Sequence, residues 1–378
     1  MTTGYAPAVQ KKTLSSRQAK LARWVQAQFS YQDSADEATL NPVSSDASAR
    51  RYYRIISSES AHYSVQDLYN ESATATAFQK EQADKIRLIV VDAPPATEDS
   101  QMFVHIAQQW SSAGIRVPAV YASNYPDGFL LLEDLGDCLL QEALDTCTAN
   151  TLYQHAFSII NHIQKQPANG LPRYDPRFIH QELSLYPHWF LGQLLDISLT
   201  KEEAAQLNDL FAQVTEAMIQ QPQVTIHRDF HSRNLMICPQ GEIGVIDFQG
   251  AMTGPLLYDP VSLLKDCYIQ WPEHQIQQWL KQYASLLPLT PSLDFSDIQH
   301  WFDLTGLQRH LKCLGIFSRL WLRDGKTEYL KDIPNTLNYI LATCDRYDSL
   351  HFYSQWLKAR ALPALESVLG TKQGNIGD

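Results

Sequence analysis

The stretch Ile226–Ala251, IHRDFHSRNLMICPQGEIGVIDFQGA, carries three oxygen-bearing side chains at spacings that suit a single reaction. Asp229 closes a His-Arg-Asp triplet, Asn234 follows five positions later, and Asp247 ends an apolar run thirteen positions beyond that. An aspartate so placed can accept the proton of an attacking hydroxyl, while the amide and the second carboxylate can hold the Mg²⁺ ions that neutralise a phosphoryl group in transfer. Taken singly, each residue has an ordinary role: Asp229 caps a turn, His227 is a satisfied core histidine, Asp247 ends a strand. Taken together on a strand, a loop and a hairpin, they point to phosphoryl transfer.

The chemistry requires the three groups to converge, and the flanking residues predict how. Leu235 and Ile237 alternate with their neighbours, Pro239-Gln240-Gly241 is a turn, and Ile243 and Val245 alternate again. That pattern is a short β-hairpin, whose outer ends bring Asn234 and Asp247 side by side. Upstream, Thr200 with Glu203 forms a capping box ahead of Leu207, Leu210, Phe211, Val214 and Met218 on one helical face. Residues 256–264, 301–322 and 336–362 also read as helices, so 135–370 is expected to be α-rich.

Residues 1–134 read differently. Ser15 with Gln18 caps a helix whose Leu21, Trp24, Val25 and Phe29 share a face. A polar stretch leads to Leu40, NPVSSDASAR reads as a loop, and strands are expected at 51–56, 86–91, 117–121 and 129–132. Between the second and third of these, Met102, Phe103, Ile106 and Trp110 form a helical stripe that Gly114 can end. With a further strand ahead of the small-residue loop, the order is three strands, a helix and two strands, running into a hinge at Glu133-Asp134-Leu135-Gly136. Residues 57–85 carry few large apolar side chains and read as a mobile surface insertion. The tail GTKQGNIGD is expected to fray.

Composition narrows the partners. The net charge of −11, without a sustained basic run, argues against nucleic acid, which requires clustered Lys and Arg. Six scattered cysteines without Cys-x-x-Cys spacing read as free thiols of a reducing compartment. No signal-peptide core and no apolar run of membrane-spanning length is present, so a cytoplasmic location and no membrane partner are expected. The oligomeric state is not legible.

The phosphate-handling residues are less sharply marked. Ser45, Asp46, Ala47 and Ser48 lie in a loop of small residues between strands, where backbone N–H groups can approach phosphate oxygens; an ordinary polar turn has the same composition. A protein kinase places a lysine in the third strand, paired with an acid of the next helix, but Ile-Arg-Leu-Ile-Val-Val has none. Arg51, Arg54 or Arg87 can supply the charge, and each can equally be structural. Glu98 and Asp99 suit the start of a helix dipole. Glu133 and Leu135 lie where a hinge backbone would bond an adenine edge. For the acceptor, the candidates are His231, Arg233, Gln249, Glu182, Arg309 and His310; His231 can instead hydrogen-bond within its loop, and Glu182, Arg309 and His310 can be buried structural pairs. Asp259 is expected to cap the following helix and brace the loop.

SDASARRYYR, LIVVDAPP, GFLLLEDLG, HRDFHSRNLM, DFQGAMTGPLLYDPVSLLKD, and GLQRHLKCLGIFSRL followed by RDGK together resemble the aminoglycoside phosphotransferase family. Within it they are similar to the anomeric N-acetylglucosamine/N-acetylmuramate kinases of bacterial cell-wall recycling. The resemblance runs from about Asp46 to Lys326. It implies an α+β, two-lobed protein-kinase-like fold: a small lobe, 1–134, with a five-stranded antiparallel sheet and a helix, and a large α-rich lobe, 135–370, with the catalytic loop and hairpin. It also implies ATP and Mg²⁺ as cofactors, a small amino sugar as acceptor, a sugar 1-phosphate as product, Asp229 as base and Asn234 with Asp247 as metal ligands. An aminoglycoside, choline or other alcohol as acceptor, or a nucleotide-binding pseudokinase, are the competing readings.

Overall fold

The computed structural model describes residues 15–28, 40–45, 49–58, 85–287 and 294–373. Phe29, Asp46, Ala47, Ser48, most of the 57–85 insertion and the end of the tail lie outside the described residues. The chain divides into two compact bodies, Met1–Gln108 with Pro118–Asp134, and Gln109–Val117 with Leu135–Asp378.

The first body is built on a five-stranded sheet in the order β1-β2-β3-β5-β4, antiparallel throughout. The strands are β1 (Asn41–Ser45), β2 (Arg51–Ser58), β3 (Lys85–Asp92), β4 (Val120–Asn124) and β5 (Phe129–Glu133). Helix α1 (Ser16–Gln28) starts at the capping box read from the sequence, with Ser15 and Gln18 exchanging backbone-to-side-chain bonds of 3.1 and 3.3 Å. Its Leu21 and Val25 are fully buried against Tyr53, Ile55, Leu88, Val90, Phe129 and Leu131. Each such side chain is worth about 1.5–3 kcal/mol on burial, which fixes α1 to this face of the sheet.

Two strands depart from the expectation. β1 occupies the front half of the segment read as a loop, because an edge strand with a bulge between Pro42 and Ser44 tolerates a proline that a central strand would not. β4 begins three residues late, since Pro118 has no N–H to give a ladder. The β4–β5 turn needs Gly128: its φ is +70°, and a Cβ there would lie 1.8 Å from the Ala93 carbonyl oxygen.

The second body is mostly helical, with α2 (Ser100–Ser112) passing into it at Gln109. It contains α3 (Leu140–Ala143), α4 (Ala149–Gln164), α5 (Pro176–Leu183), α6 (Lys201–Ile219), α7 (Tyr258–Leu264), α8 (Glu273–Ala284), α9 (Phe295–Asp324), α10 (Ile333–Arg346), α11 (His351–Trp356) and α12 (Leu362–Gln373). The antiparallel pairs β6 (Gln223–Ile226) with β9 (Met252–Pro255), and β7 (Leu235–Ile237) with β8 (Ile243–Val245), frame the catalytic-loop motif. Trp110 belongs here because its ring packs 5.9 Å from His227 and 5.7 Å from Phe248, and the Arg116 carbonyl accepts from Val245 at 2.7 Å.

Helix α9 is buried over nearly its whole middle, from Phe302 to Gly315. Gly315 lets it approach the Leu185 backbone, where a Cβ would meet the carbonyl carbon at 2.5 Å. That close approach sets where the polar residues one and two turns earlier can reach. The stretch 336–362, read as one helix, is divided: α10 ends at an extended Tyr347, and a π-helical turn, Leu357–Ala361, precedes Pro363. Tyr347 leaves the helix to bond Asp303 at 2.9 Å.

Candidate active site

The sequence from β6 to α7 folds so that two buried carboxylates hold the loop His227–Asn234 by its backbone. Asp259 accepts from the His227 N–H at 2.7 Å with one oxygen and from the Arg228 N–H at 2.9 Å with the other. It lies in the first turn of α7 and caps nothing, since the N-cap position is Leu257, without a side-chain cap; the bracing expected of it is what it does. Asp266 takes the Ser232 N–H at 2.9 Å and its hydroxyl at 2.6 Å. The brace has a local cost, because Arg228 sits at φ +77°, in the left-handed region that a side chain disfavours by roughly 1–3 kcal/mol.

His227 ties the loop to the hairpin. Its Nε2 lies 2.9 Å from the Ile246 carbonyl and its Nδ1 faces the Asp229 N–H at 3.3 Å, so the proton sits on Nε2. Burial pushes its pKa down, and the ring stays neutral. The hairpin register pairs Leu235 with Val245, and the Ile246 N–H donates to the Asn234 carbonyl at 3.0 Å. Asn234 and Asp247 are therefore brought together as the alternation predicted.

Asn234 donates from Nδ2 to the Asp229 carbonyl at 3.0 Å, which leaves its Oδ1 as an acceptor with no donor among the described residues. Asp247 is left-handed at φ +61°, and the Gln249 amide donates to one of its carboxylate oxygens. A neutral amide oxygen and a carboxylate are the hard donors that Mg²⁺ takes when substrate phosphates complete its shell. Among the described residues no group of three or more His, Cys, Asp or Glu could hold a metal without such help.

Charge around Asp229 is the site's main electrostatic feature. Burial raises its carboxyl pKa, but the nearby positive charges of Lys312, Arg228 and Arg309 outweigh this and hold it well below the usual range, so it is ionised at neutral pH. Two of those cations meet on Glu182, which is buried in α5: Arg228 Nη2 lies 2.5 Å and Lys312 Nζ 3.2 Å from its carboxylate. Gln308 Nε2 donates to it at 3.2 Å, the Tyr174 hydroxyl also donates, and Lys312 reaches the Tyr258 hydroxyl at 3.2 Å. Burial raises Glu182 as well, and again the two cations win.

The remaining candidates divide. His231 packs its ring edge on Tyr268 at 5.2 Å and faces the Asn234 amide at 3.4 Å; burial takes its pKa down to about 4, so it is a neutral group, and its buried Nδ1 has no hydrogen-bond partner among the described residues. Arg233 lies over the Tyr268 ring at 3.6 Å and donates to Gln141 at 2.9 Å. Gln249 Oε1, Gln308 Oε1, Arg228 Nε and Arg309 Nε are likewise buried without a hydrogen-bond partner among the described residues. Arg309 donates from Nη1 to the Cys267 sulfur at 3.5 Å. His310 is turned away: it faces the Lys265 carbonyl at 2.9 Å and stacks on Tyr339 at 4.8 Å, so its place is structural.

In the first body, Arg54 pairs with Asp134 at 2.6 Å and Arg87 with the same carboxylate at 3.2 Å. Strand parity puts Arg51, opposite Asp92, on the face that α1 covers, where Asp92 is held by Arg17 at 2.6 Å. The Glu133 carboxylate accepts from the Ala119 N–H at 3.2 Å. Of the loop Ser45–Ser48 only the Ser45 backbone is described, paired with Arg51. In the second body, Leu135 packs on Met236 and Cys238, and its backbone makes no hydrogen bond among the described residues. Sequence reasoning missed Lys312 and Arg228 as groups acting on Asp229. Lys312 meets Glu182 and Arg228 only through long-range packing of α9 on α5 and the loop, which no local spacing signals.

These features fit one class of protein, and the chain belongs to it: the phosphotransferase enzyme family, whose family model matches residues 39–295. The chain is 37% identical over 309 residues, 80% of its length and 83% of the relative's, to the N-acetylmuramate/N-acetylglucosamine kinase of Pseudomonas aeruginosa. With the protein of that name from Neisseria meningitidis it shares 32% identity over 345 residues, 88% of this chain and 93% of that one. It is a kinase. Among solved structures it resembles the ADP-bound aminoglycoside phosphotransferase APH(2'')-Ib, with TM-score 0.51, 13% identity and coverage of 85% and 97%. An ethanolamine kinase of Plasmodium vivax gives TM-score 0.52 at 10% identity, with 83% of each chain covered. At such identities the likeness is one of fold, the kinase-like α+β fold expected from the sequence. No helix among the described residues is long and apolar enough to cross a membrane.

Proposed function

We propose that this kinase transfers the γ-phosphoryl group of ATP to the anomeric hydroxyl of N-acetylmuramate or N-acetylglucosamine, giving the sugar 1-phosphate and ADP. The observation that carries the reading is the ionised Asp229 carboxylate on a doubly braced loop. The names of its relatives supply the acceptor. The acceptor O–H donates to Asp229, its oxygen forms a bond to the γ-phosphorus, the bond to the bridging oxygen breaks, and the proton passes to Asp229 as ADP leaves. A carboxylate of depressed pKa is a weak base. That suits a hemiacetal hydroxyl, which is more acidic than an ordinary alcohol, and a loose transition state in which positioning dominates.

Asn234 and Asp247 would hold Mg²⁺, which when bound neutralises charge on the phosphates. The surroundings of Asp229 favour a neutral or anionic acceptor: Lys312, Arg228 and Arg309 already crowd it with positive charge. A choline or aminoglycoside cation would add to that. The test is product chemistry. With N-acetylglucosamine the product should lose its reducing end, and the open-chain alditol, which keeps the primary hydroxyl but has no hemiacetal, should not be phosphorylated. Turnover of the alditol at a comparable rate, or a product that still reduces copper, moves the phosphate to another hydroxyl.

A further inference from the structure

A triphosphate donor needs positive charge besides its metal ions, and kinases hold it as a third-strand lysine fixed by an acid of the following helix. In β3 the lysine is Lys85, at the first position opposite Ser58, the end of the strand remote from the turn that leads into α2. The arginines nearby have other places. Arg54 and Arg87 share Asp134, and Arg51 falls on the α1 face.

Arg50 is different. It stands just ahead of β2, at the end of the sheet where Arg51 pairs with Asp92 and β3 gives way to the turn before α2. Its guanidinium nitrogen Nη2 lies 2.6 Å from an oxygen of Glu98, two residues before α2, and both side chains are 11% exposed. At that depth the pair is screened far less than a surface one. The middle of β3 thus has no lysine, yet the chain keeps a cation locked to the acid just ahead of the next helix. It reaches that acid from the neighbouring strand.

We propose that Arg50, held by Glu98, gives the nucleotide phosphates the positive charge that a strand lysine gives them in other kinases. A guanidinium has five N–H donors in a planar fork, so it can bond a carboxylate along one edge and a phosphate along another, which an ammonium on β3 would do as a point charge. The inference rests on the reading of ATP as donor, and it makes Arg50 the phosphate contact and Glu98 a positioning residue.

The experiment compares full-length wild type, Arg50→Gln, Arg50→Lys and Glu98→Gln in Mg²⁺ with N-acetylglucosamine, measuring KM for each substrate, affinity for ADP and for adenosine, and Tm. Arg50→Gln should raise the ATP KM and weaken ADP by about tenfold or more while leaving adenosine affinity and the sugar KM within about twofold. Arg50→Lys should restore part of the loss, and Glu98→Gln should shift ADP in the same direction by less. Unchanged ADP affinity and ATP KM in Arg50→Gln, whatever its Tm, overturn the proposal and leave a structural ion pair; so does an equal loss of ADP and adenosine. Wild-type enzyme that turns over no ATP removes the donor reading itself, an outcome seen before any variant is measured.

Discussion

Asp303 and Lys312 lie on the same helix, α9, and each belongs to a buried ion cluster. Asp303 accepts from Lys265 at 2.8 Å, Arg346 at 2.6 Å, Tyr347 at 2.9 Å and Gln299 at 2.9 Å. Lys312 shares Glu182 with Arg228, Gln308 and Tyr174. In both, one carboxylate collects two cations and neutral donors, and burial that would raise its pKa is outweighed by those cations. The difference lies in where the cations come from. Around Asp303 they come from the end of α7 and the end of α10, and the cluster fastens helices together. Around Glu182 one is Arg228, whose left-handed backbone precedes Asp229, and both act on the Asp229 charge. Burial and charge alone do not mark a functional cluster; a covalent or electrostatic link to the reacting group does.

The largest effect should follow from Asp229 itself. Asp229→Asn keeps the shape and removes the proton acceptor, so kcat should fall by about 10²–10⁴ with nucleotide affinity retained. Near-wild-type kcat, in a preparation shown free of wild-type enzyme, would take Asp229 out of the mechanism and leave neither cluster with a catalytic role. Lys312→Met comes next. Losing that cation leaves Arg228 alone on Glu182 and removes the foremost charge that holds the Asp229 carboxylate ionised, so kcat should drop by about tenfold at equal folded fraction, whereas a purely structural lysine would lower Tm without that loss. A kcat within about twofold of wild type at equal folded fraction erases the distinction between the clusters.

Asp259 offers a pH test of the brace. Burial is the largest influence on it and pushes its pKa up to about 6, against the lowering effects of His227 and the two N–H bonds. Above that value the carboxylate accepts both N–H groups; as pH falls through about 6 it takes a proton and one loop N–H loses a charged partner. Activity should therefore decline below about pH 6, although Asp229, with its depressed pKa, stays ionised there. Stability should move the other way. The folded protein binds the proton more tightly than the unfolded chain, whose Asp titrates near its ordinary value of 3.8, so this group adds stability as pH falls from about 6 to about 4. Asp259→Asn should lower kcat several-fold and flatten the limb near pH 6. A limb of unchanged position in that variant assigns it to another group.

What could be read from the sequence follows from the range of the interactions. Asp229, Asn234, Asp247 and the hairpin between them sit within 19 consecutive residues, and a local alternation with one turn is enough to bring them together. The capping boxes at Ser15 and Thr200 are equally local and were legible. Glu182, Arg228 and Lys312 meet only because α9 closes on α5 and the loop, across 46 and more positions of chain, and nothing in the spacing separates Lys312 from Lys265. β1 was hidden for a different reason. Its Pro42 and three small polar residues are loop-like in composition, and only its pairing to β2 at a sheet edge makes it a strand.

The smallest effect on catalysis should come from Lys265→Met, which makes it the sharpest check on the comparison. The ammonium is 3% exposed and bonds a carboxylate that is fully buried. Removing it leaves Arg346 facing Asp303 alone and strands part of a buried negative charge, which typically costs about 3–5 kcal/mol. For a chain of this size that is a fall in Tm of roughly five degrees, provided unfolding is reversible enough to measure. Yet Lys265 is not among the charges that act most on Asp229, and its cluster bonds no group of the loop 227–234, so kcat and its pH profile should remain within about twofold of wild type at a temperature where the variant is folded. A methionine fills much of the same volume, so the change tests charge more than packing. If Lys265→Met instead lowers kcat as far as Lys312→Met at equal folded fraction, the two clusters act on the site together through α9, and the helix would have to be treated as one electrostatic element.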